Sequence, residues 1–486
     1  MADFLDAVSN AFYSYILIGL LVFSGIYFTV RTKFLQIRLF PESLRVIREP
    51  KQDEAGLSSF GALMVSTASR VGTGNIAGAS VAVTLGGPGA LFWMWMVALA
   101  GGASAFVEST LAQIYKRRSE NGDSYGGPAY YITTGLKARW LGVIFAVALI
   151  VTYMGGFNMV ASYNTIDSFT SYGWFTEGTT PMILGVALAA FAAAPIFGGG
   201  KRLARVTEFL VPFLAIAYLA VGLAVVFTHL ELVPGMISSI FSDAFDFQSI
   251  FGGFAGSALM LGIKRGLYSN EAGVGSAPNA AASANVSHPA KQGLVQMLSV
   301  YIDTLLICSI TGFMILASGV ARNEDNAGVT VVQESASTVL GGLGHPFVTM
   351  SLVLFAFTTL IGNYYYSEIN LRFLCNGEPP KAVLIAFRAA AVFIVFSGSL
   401  LEFTMAWGIA DILMGIMALI NIPVIIVLGR RAIRAANDYV EQRKAGRNPV
   451  YVARANGVTE HTDFWQTSKE TPLTYHGQPH ADRLTD

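Results

Sequence analysis

Charge is what this chain of 486 residues has least of. Asp, Glu, Lys and Arg make up 13% of it, about half the roughly 25% of ordinary soluble domains. That shortfall excludes a solvated globular surface over most of its length. The 31 basic and 31 acidic residues cancel, so nothing suggests nucleic acid as a partner. Cysteine is nearly absent. Cys308 and Cys375 build no disulfide framework, and both read as packing residues rather than ligands. The apolar segments contain no nucleophile–base pair and no metal-ligand spacing, which argues against an enzyme or a resident cofactor. A basic leader is missing too. Asp3 and Asp6 precede the first apolar run, which therefore reads as a retained helix and not as a cleaved signal peptide.

Apolar residues fill the gap, at 53%, in runs long enough to cross ~30 Å of hydrocarbon. The chain reads as an all-α polytopic membrane protein with eleven transmembrane helices, at approximately 12–30, 58–84, 88–114, 140–165, 180–197, 206–228, 251–284, 291–318, 346–372, 382–400 and 405–429. Basic residues set the orientation. They gather after span 1 (Arg31, Lys33, Arg38, Arg45, Arg48, Lys51), after span 3 (Lys116, Arg117, Arg118, Lys137, Arg139) and between spans 5 and 6 (Lys201, Arg202, Arg205). Lys291, Arg372, Lys381, Arg388 and the arginines after span 11 lie on the same side. The opposite loops hold only Arg322. This places the N-terminus outside and the C-terminus in the cytoplasm. The chain then divides into an N-terminal helix and loop (1–57), five helices (58–228), an outer loop (229–250), five more helices (251–429) and a cytoplasmic tail (430–486). The outer loop is expected to hold a short interfacial segment, and 329–340 a short surface helix. From about Asn448 the tail is polar, carries Pro449 and Pro472 and lacks apolar periodicity. It reads as mobile chain without chemistry.

Two spans violate the rule that a membrane helix is regular. Span 2 carries Arg70, Gly72, Gly74, Asn75 and Gly78 near its middle. Span 7 carries Lys264, Arg265, Ser269, Asn270, Glu271, Gly273 and Gly275. Free backbone groups at such breaks need cover from protein or from a water-lined cavity. Arg70 to Asn75 and Arg265 to Asn270 share one spacing, and both asparagines continue x-Ala-Gly. The two breaks open two five-helix halves of opposite orientation, a pattern that points to a transporter site at their interface. The physics suits an amino acid. Half-helix N-termini favour a carboxylate. Gly72 and Gly74 let backbone approach, and Thr73 and Asn75 add hydrogen bonds. Unwound carbonyls suit a cation or an ammonium group. Asp303 in span 8 and Thr358 and Thr359 in span 9 bring oxygen to the same depth, and a carboxylate there is a functional candidate by default.

Arg70-Val71-Gly72-Thr73-Gly74-Asn75-Ile76-Ala77-Gly78, Gly86-Gly87-Pro88-Gly89-Ala90-Leu91-Phe92-Trp93-Met94-Trp95, Ser269–Pro278 and Asp303-Thr304 resemble the alanine or glycine:cation symporter family, the sodium:alanine symporters. The resemblance extends from span 1 to span 11. It implies a LeuT-type 5+5 inverted repeat with one extra N-terminal helix. It also implies uptake of small neutral amino acids with Na+, sometimes H+, across the cytoplasmic membrane. Carried over, Thr73, Gly74 and Asn75 would line the substrate site and Ser269, Asn270 and Gly273 would face it. Thr358 and Thr359 match the hydroxyls that hold sodium in LeuT-type folds, and Asp303 matches the family's Asp-Thr pair. Two positions depart. Ala161 stands after Asn158-Met159-Val160 where many members have Gln, and Asn363 stands where many have Trp. If these positions contact substrate, one wall of the pocket is more polar.

Other residues keep two readings. Arg70 reads first as structural, paired with Glu108, Glu271 or Glu368 or capping a half-helix. Lys264 and Arg265 bind carbonyls or form a gate. Glu271 is a cation ligand or a gate partner. Asp411, Gly101-Gly102, Gly155-Gly156, Trp93, Trp95 and Tyr364–Tyr366 read as packing contacts. A proton-coupled symporter in which Asp303 or Glu271 titrates is the competing function. An amino-acid-gated channel or sensor is weaker, because channels build pores from symmetric subunits.

Overall fold

The computed structural model describes residues 2–50, 56–120, 122–198, 200–246, 257–324 and 326–466. The expected start of span 7 (251–256), the end of the outer loop (247–250), Lys51 and the tail from 467 onward lie outside the described residues, as do the side chains of Lys201, Arg202 and Arg205. Among the described residues nine helices are long and apolar enough to cross a membrane. In chain order the elements used below are α1 (Ala7–Arg31), α2 (Ser59–Arg70), α3 (Gly74–Leu85), α4 (Gly89–Ile114), α5 (Arg139–Asp167), α6 (Thr179–Gly198), α7 (Gly200–Thr228) and α8 (Val233–Ala244). There follow α9 (Ala258–Asn270), α10 (Pro278–Ala282), α11 (Pro289–Ala317), α12 (Val329–Leu340), α13 (Gly344–Leu374), α14 (Lys381–Gly398) and α15 (Phe403–Lys444). A two-residue antiparallel hairpin pairs Arg117 with Tyr125 and Arg118 with Ser124.

The two expected spans missing from the nine are the two interrupted ones. α2 and α3 together cover 59–85, and α9 and α10 cover the described part of 251–284. Each first half begins with a serine cap. The hydroxyl of Ser58 accepts from the Gly61 amide at 2.8 Å, and that of Ser257 from Met260 at 3.3 Å. Each half then runs for 12 or 13 residues. Val71 ends α2 in extended backbone, and the Gly72 amide donates to the Asn75 side chain at 2.9 Å. Glu271 ends α9 with φ +54°, and Gly273 and Gly275 follow with φ +83° and +94°. The left-handed conformation is open to glycine and strains Glu271.

This corrects one expectation. The matched Arg…Asn spacings are not equivalent in the fold. Asn75 lies inside the resumed helix, whereas Asn270 is the last residue before the second break. The serine caps, not the asparagines, mark corresponding positions.

α4 is the central post, packed on α1, α9, α11 and α15. Every residue from Gly102 to Ile114 is buried, Glu108 and Gln113 among them, so this half of the helix is enclosed by other helices and its polar side chains must find partners there. α7 packs on α2 and α13, and α6 on α14. Their outer faces leave large side chains uncovered, with Phe209 75% and Ile216 67% exposed. Apolar exposure on span-length helices is a lipid-facing surface. α8 and α12 are short helices within 229–250 and at 329–340, where the sequence leads one to expect them.

The tail departs from the sequence reading. α15 continues to Lys444, and residues 448–466 are docked. Tyr451 and Trp465 are buried. The Tyr451 amide donates to Ser287 O at 3.1 Å, the Ser287 hydroxyl to Pro449 O at 2.8 Å, and the Trp465 indole to Gln113 O at 2.8 Å. Asp463 pairs with Arg117 at 2.7 Å, and Glu460 pairs with Arg431. Widely spaced aromatic anchors carry no periodicity, so the sequence offers no signal for them.

Candidate substrate and cation site

The breaks meet at the level of Asp303, where α11 itself makes a π-helical turn over Ile302–Cys308. Such turns free backbone groups and recur at functional sites. The Asn75 side-chain amide donates to Asp303 Oδ1 at 2.7 Å and to Ser269 Oγ at 3.0 Å. Ser269 Oγ donates to Asp303 Oδ2 at 2.7 Å, and Thr304 Oγ1 to the same oxygen at 2.8 Å. One residue from each interrupted segment therefore converges on a single fully buried carboxylate. Cys308, expected only to pack, edges this cluster at 3.2 Å from Asn75 and 3.1 Å from Ser269. With three neutral donors on it, Asp303 is held without a cationic partner at ion-pair distance among the described residues.

Thr358 and Thr359 are not part of that group. Thr358 donates to Phe355 O in its own helix at 2.9 Å. Thr359 Oγ1 donates to Ala68 O, two residues before the end of α2, at 3.1 Å. A Cβ on Gly72 would fall 2.1 Å from Thr359 Oγ1, so only glycine permits this approach. The oxygen atoms thus form two groups, Asp303 with Asn75, Ser269 and Thr304, and Thr359 with the α2 carbonyls.

Asn363 faces the α2 end of the first break. It accepts from Ser69 Oγ at 2.7 Å and donates to Asn158 at 2.9 Å. Ser69 also reaches Glu271 at 3.3 Å, and Ser276 donates to the other Glu271 oxygen. Asn270 caps its own break, accepting from the Ala272 amide at 3.0 Å. Tyr268 covers Gly74, whose added Cβ would meet its ring at 2.9 Å. Phe157 and Trp407 pack on Tyr268 with tilted rings, their centroids at 4.5 and 4.7 Å. Thr73, Asn75, Ser269, Asp303 and Asn363 are all buried, so the site is closed.

The charged residues resolve differently from their first readings. Arg70 donates to Gln296 O at 3.4 Å, and among the described residues no carboxylate stands within ion-pair distance of it. Glu368 instead pairs with Arg372 at 3.3 Å and Arg388 at 3.8 Å, and Tyr364 donates to it at 2.6 Å. Asp411, expected as a packing contact, pairs with Arg265, and Lys264 lies 4.0 Å away. A carboxylate withdrawn from water needs such compensation. Trp407 lies over that guanidinium at 4.2 Å. Trp93 and Trp95 pack, with their indoles bonded to Ala244 O and Ser309 Oγ. Gly102 packs closely on Tyr301, and Gly155 has open space beside it.

Glu108, read from the sequence only as a candidate partner of Arg70, serves the second break instead, together with Asn421, which the sequence reading did not name. Glu108 accepts from the Gly273 amide at 3.2 Å and from Asn421 at 2.8 Å, while Asn421 donates to Gly273 O at 2.9 Å. Both residues lie deep in spans, which was the available signal. Their target was not legible, because it lies 165 and 148 positions away.

The geometry defines a multi-pass helical membrane transporter with two interrupted helices facing one another. Solved structures agree on the fold. MhsT in complex with L-phenylalanine superposes with a TM-score of 0.57, at 16% identity, over 79% of this chain and 93% of that one. A manganese transporter of Eremococcus coleocola (mutant E129A) gives 0.53 at 11% identity, over 80% and 81%. The family model described as "Sodium:alanine symporter family" matches residues 1–453, and the chain belongs to that family. The amino-acid carrier protein AlsT of Bacillus subtilis (strain 168) is 44% identical over 94% of this chain and 95% of its own length. The probable sodium/glutamine symporter GlnT of the same organism is 43% identical over 97% of each. The sodium/alanine symporter AgcS of Methanococcus maripaludis is 37% identical over 87% of this chain and 94% of its own.

Proposed function

We propose that this protein carries a small neutral amino acid, alanine, glycine or a close analogue, into the cell together with Na+ by alternating access. The observation that carries the reading is the convergence of Asn75 and Ser269, one from each break, on Asp303. Substrate would sit where Gly72, Thr73, Gly74 and Asn75 face Ser269, Asn270 and Gly273. Its carboxylate would meet the amides that open α3, where the helix dipole favours an anion. Asn363 stands on the wall beside Ser69 and Asn158 and would select for substrate size and polarity.

Na+ is a cargo here, and the donors suit it. Each oxygen group holds at most one carboxylate among hydroxyls and carbonyls, a charge fitted to a monovalent cation. Among the described residues no group of three or more His, Cys, Asp or Glu gathers as a divalent site would require. Asp303 would bind one ion. Thr359, with Thr358 beside it, would bind an ion against the unwound carbonyls of α2. Arg70 and Glu271 would screen the pathway between the breaks, and the Glu368 cluster would act as an ion-paired gate.

The same reading counts each interrupted pair as one crossing. That gives eleven crossings, a 5+5 inverted repeat over 58–228 and 251–429, and an extra N-terminal helix. The basic loops then face the cytoplasm, the N-terminus faces outward, and the protein resides in the cytoplasmic membrane. Proton coupling is the alternative. A relative, the putative sodium/proton-dependent alanine carrier YrbD of Bacillus subtilis, is 41% identical, and Asp303 or Glu271 would then carry the proton.

Thermal stabilisation of the purified protein tests the proposal. Alanine or glycine with Na+ should raise the melting temperature beyond the sum of their separate effects, as linked binding requires. Stabilisation by the amino acid that is independent of Na+ at fixed pH would reject sodium coupling.

A further inference from the structure

The inner half of the second break is a single turn and a half, Pro278–Ala282. So short a helix cannot hold itself. Its C-terminal carbonyls are capped from outside. Gln113 Nε2 donates to Ala284 O at 2.9 Å and also to Ala281 O, Lys116 Nζ to Ala284 O at 3.0 Å, and Ser124 Oγ to Ala282 O at 2.8 Å. The chain entering the first broken helix is tied to the same place. The Leu57 amide donates to Ser283 O at 2.9 Å, and the Asn285 amide to Leu57 O at 2.9 Å. Both interrupted helices are therefore fastened at one point on the face that carries the basic loops.

That fastening is itself held from behind. The Trp465 indole bonds Gln113 O at 2.8 Å, from a side chain 1% exposed. The rings of Phe464 and Trp465 lie 4.7 and 5.0 Å from Lys116 Nζ. Asp463 holds both the guanidinium of Arg117 at 2.7 Å and the amide of Arg118 at 3.1 Å. At its other end the segment is pinned to α11, where Lys291 donates to Asn448 at 2.9 Å. We propose that residues 448–466 are a strap that keeps the inward gate shut. It fixes the Gln113–Lys116 clamp on the end of α10, and the site opens to the cytoplasm only when the clamp yields. The inference rests on the reading of this chain as an alternating-access symporter with its basic loops inside. In such carriers one half rocks against the other about the site, so a brace across both broken helices favours the closed arrangement.

The test is accessibility of the inner gate in the full chain. Ser283→Cys, in a Cys375→Ser background, places a thiol at a buried position beside α10, and the same background without it gives the labelling that Cys308 contributes. Labelling of the new thiol by a membrane-impermeant maleimide is followed in inside-out vesicles, alongside sodium-dependent alanine transport. Trp465→Ala and Asp463→Asn should each speed labelling, Trp465→Ala by about tenfold or more, because loss of a buried aromatic anchor is among the larger single-residue effects. Trp465→Phe, which keeps a ring but loses the indole bond, should give a smaller rise and serves if the alanine variant does not fold. Truncation after Gln466 should leave the rate unchanged. Transport with unaltered labelling in all point variants overturns the strap. Equal acceleration by the Gln466 truncation assigns the effect elsewhere and also overturns it. Loss of sodium-dependent transport in the parent overturns the symport reading instead, and the labelling comparison still decides the strap.

Discussion

At the residue scale the decisive group is Asp303. It accepts three hydrogen bonds from neutral donors, an arrangement a sodium ion can enter by replacing donated protons with its own charge. Asp303→Asn should raise the Na+ concentration for half-maximal uptake at least about tenfold, or ~1.4 kcal/mol. Sodium activation curves of parent and variant check this, and coincident curves would remove Asp303 from the ion path. Gly72→Ala tests the second oxygen group. Its Cβ would lie 2.1 Å from Thr359 Oγ1, and overpacking of this kind costs about 1–3 kcal/mol. The double change Gly72→Ala, Thr359→Ala should restore the melting temperature without restoring sodium activation. Lys116 supplies a pH dependence outside the spans. Burial, with Arg118 adding to it, pushes its pKa down from 10.5 to about 7. The flanking rings and Ala284 O both favour the cation, but they do not offset the cost of taking it out of water. Undocked, the amine recovers its ordinary value and holds a proton that the docked form has lost. Docking should therefore strengthen as pH rises from about 7 toward 10.5 and be weakest below 7. Melting curves across that range should slope upward in the parent and flatten in Lys116→Met.

At the scale of elements, the two breaks are held open by named partners and not by glycine alone. Glu108 receives both the Gly273 amide and Asn421. In Glu108→Gln the new NH2 would face either the Asn421 amide or the Gly273 N–H, donor to donor in both orientations. Asn421 cannot turn over without losing its bonds to Gly273 O and Tyr131. The expected cost is ~1–3 kcal/mol, read as a lower melting temperature, and an unchanged one would deny Glu108 this role. These elements also show what the sequence makes legible. Arg70, three glycines and Asn75 inside an apolar run are anomalous wherever they occur, so the interrupted spans declare themselves. Depth along the spans also brings Asp303 to their level. The offset between the breaks does not declare itself, because Asn75 caps Gly72 from inside the resumed helix whereas Asn270 caps Ala272 from outside. The pairings Glu108–Gly273 and Arg265–Asp411 join distant segments, and no spacing in the chain encodes them. Thr358 and Thr359 share a depth with Asp303, but depth does not fix which side of the first break they occupy.

At the scale of the whole molecule, the proposal requires opposite ends of the chain to lie on opposite sides of the membrane. Single cysteines at Ala7 and Ala445 should react with an impermeant reagent from outside and from inside respectively, and reaction of both from one side would reject eleven crossings. The longest helix bears on what such a topology does. α15 runs for 42 residues, about 63 Å at 1.5 Å per residue. Asp411 near its start holds Arg265, and Arg431 near its end holds Glu460 of the docked segment. Those two attachments are twenty residues apart, about 30 Å, the depth of the hydrocarbon core. α15 thus carries two attachments, one to the second interrupted helix and one to the docked segment. Asn421 lies halfway between them, bonded to Gly273 in the second break. Pro423 stands two residues beyond, where its ring leaves a helix carbonyl without a donor and softens the rod. Under the proposed alternating access, tilting α15 about Asn421 would move its two attachments in opposite directions and so would tie loosening at one to tightening at the other.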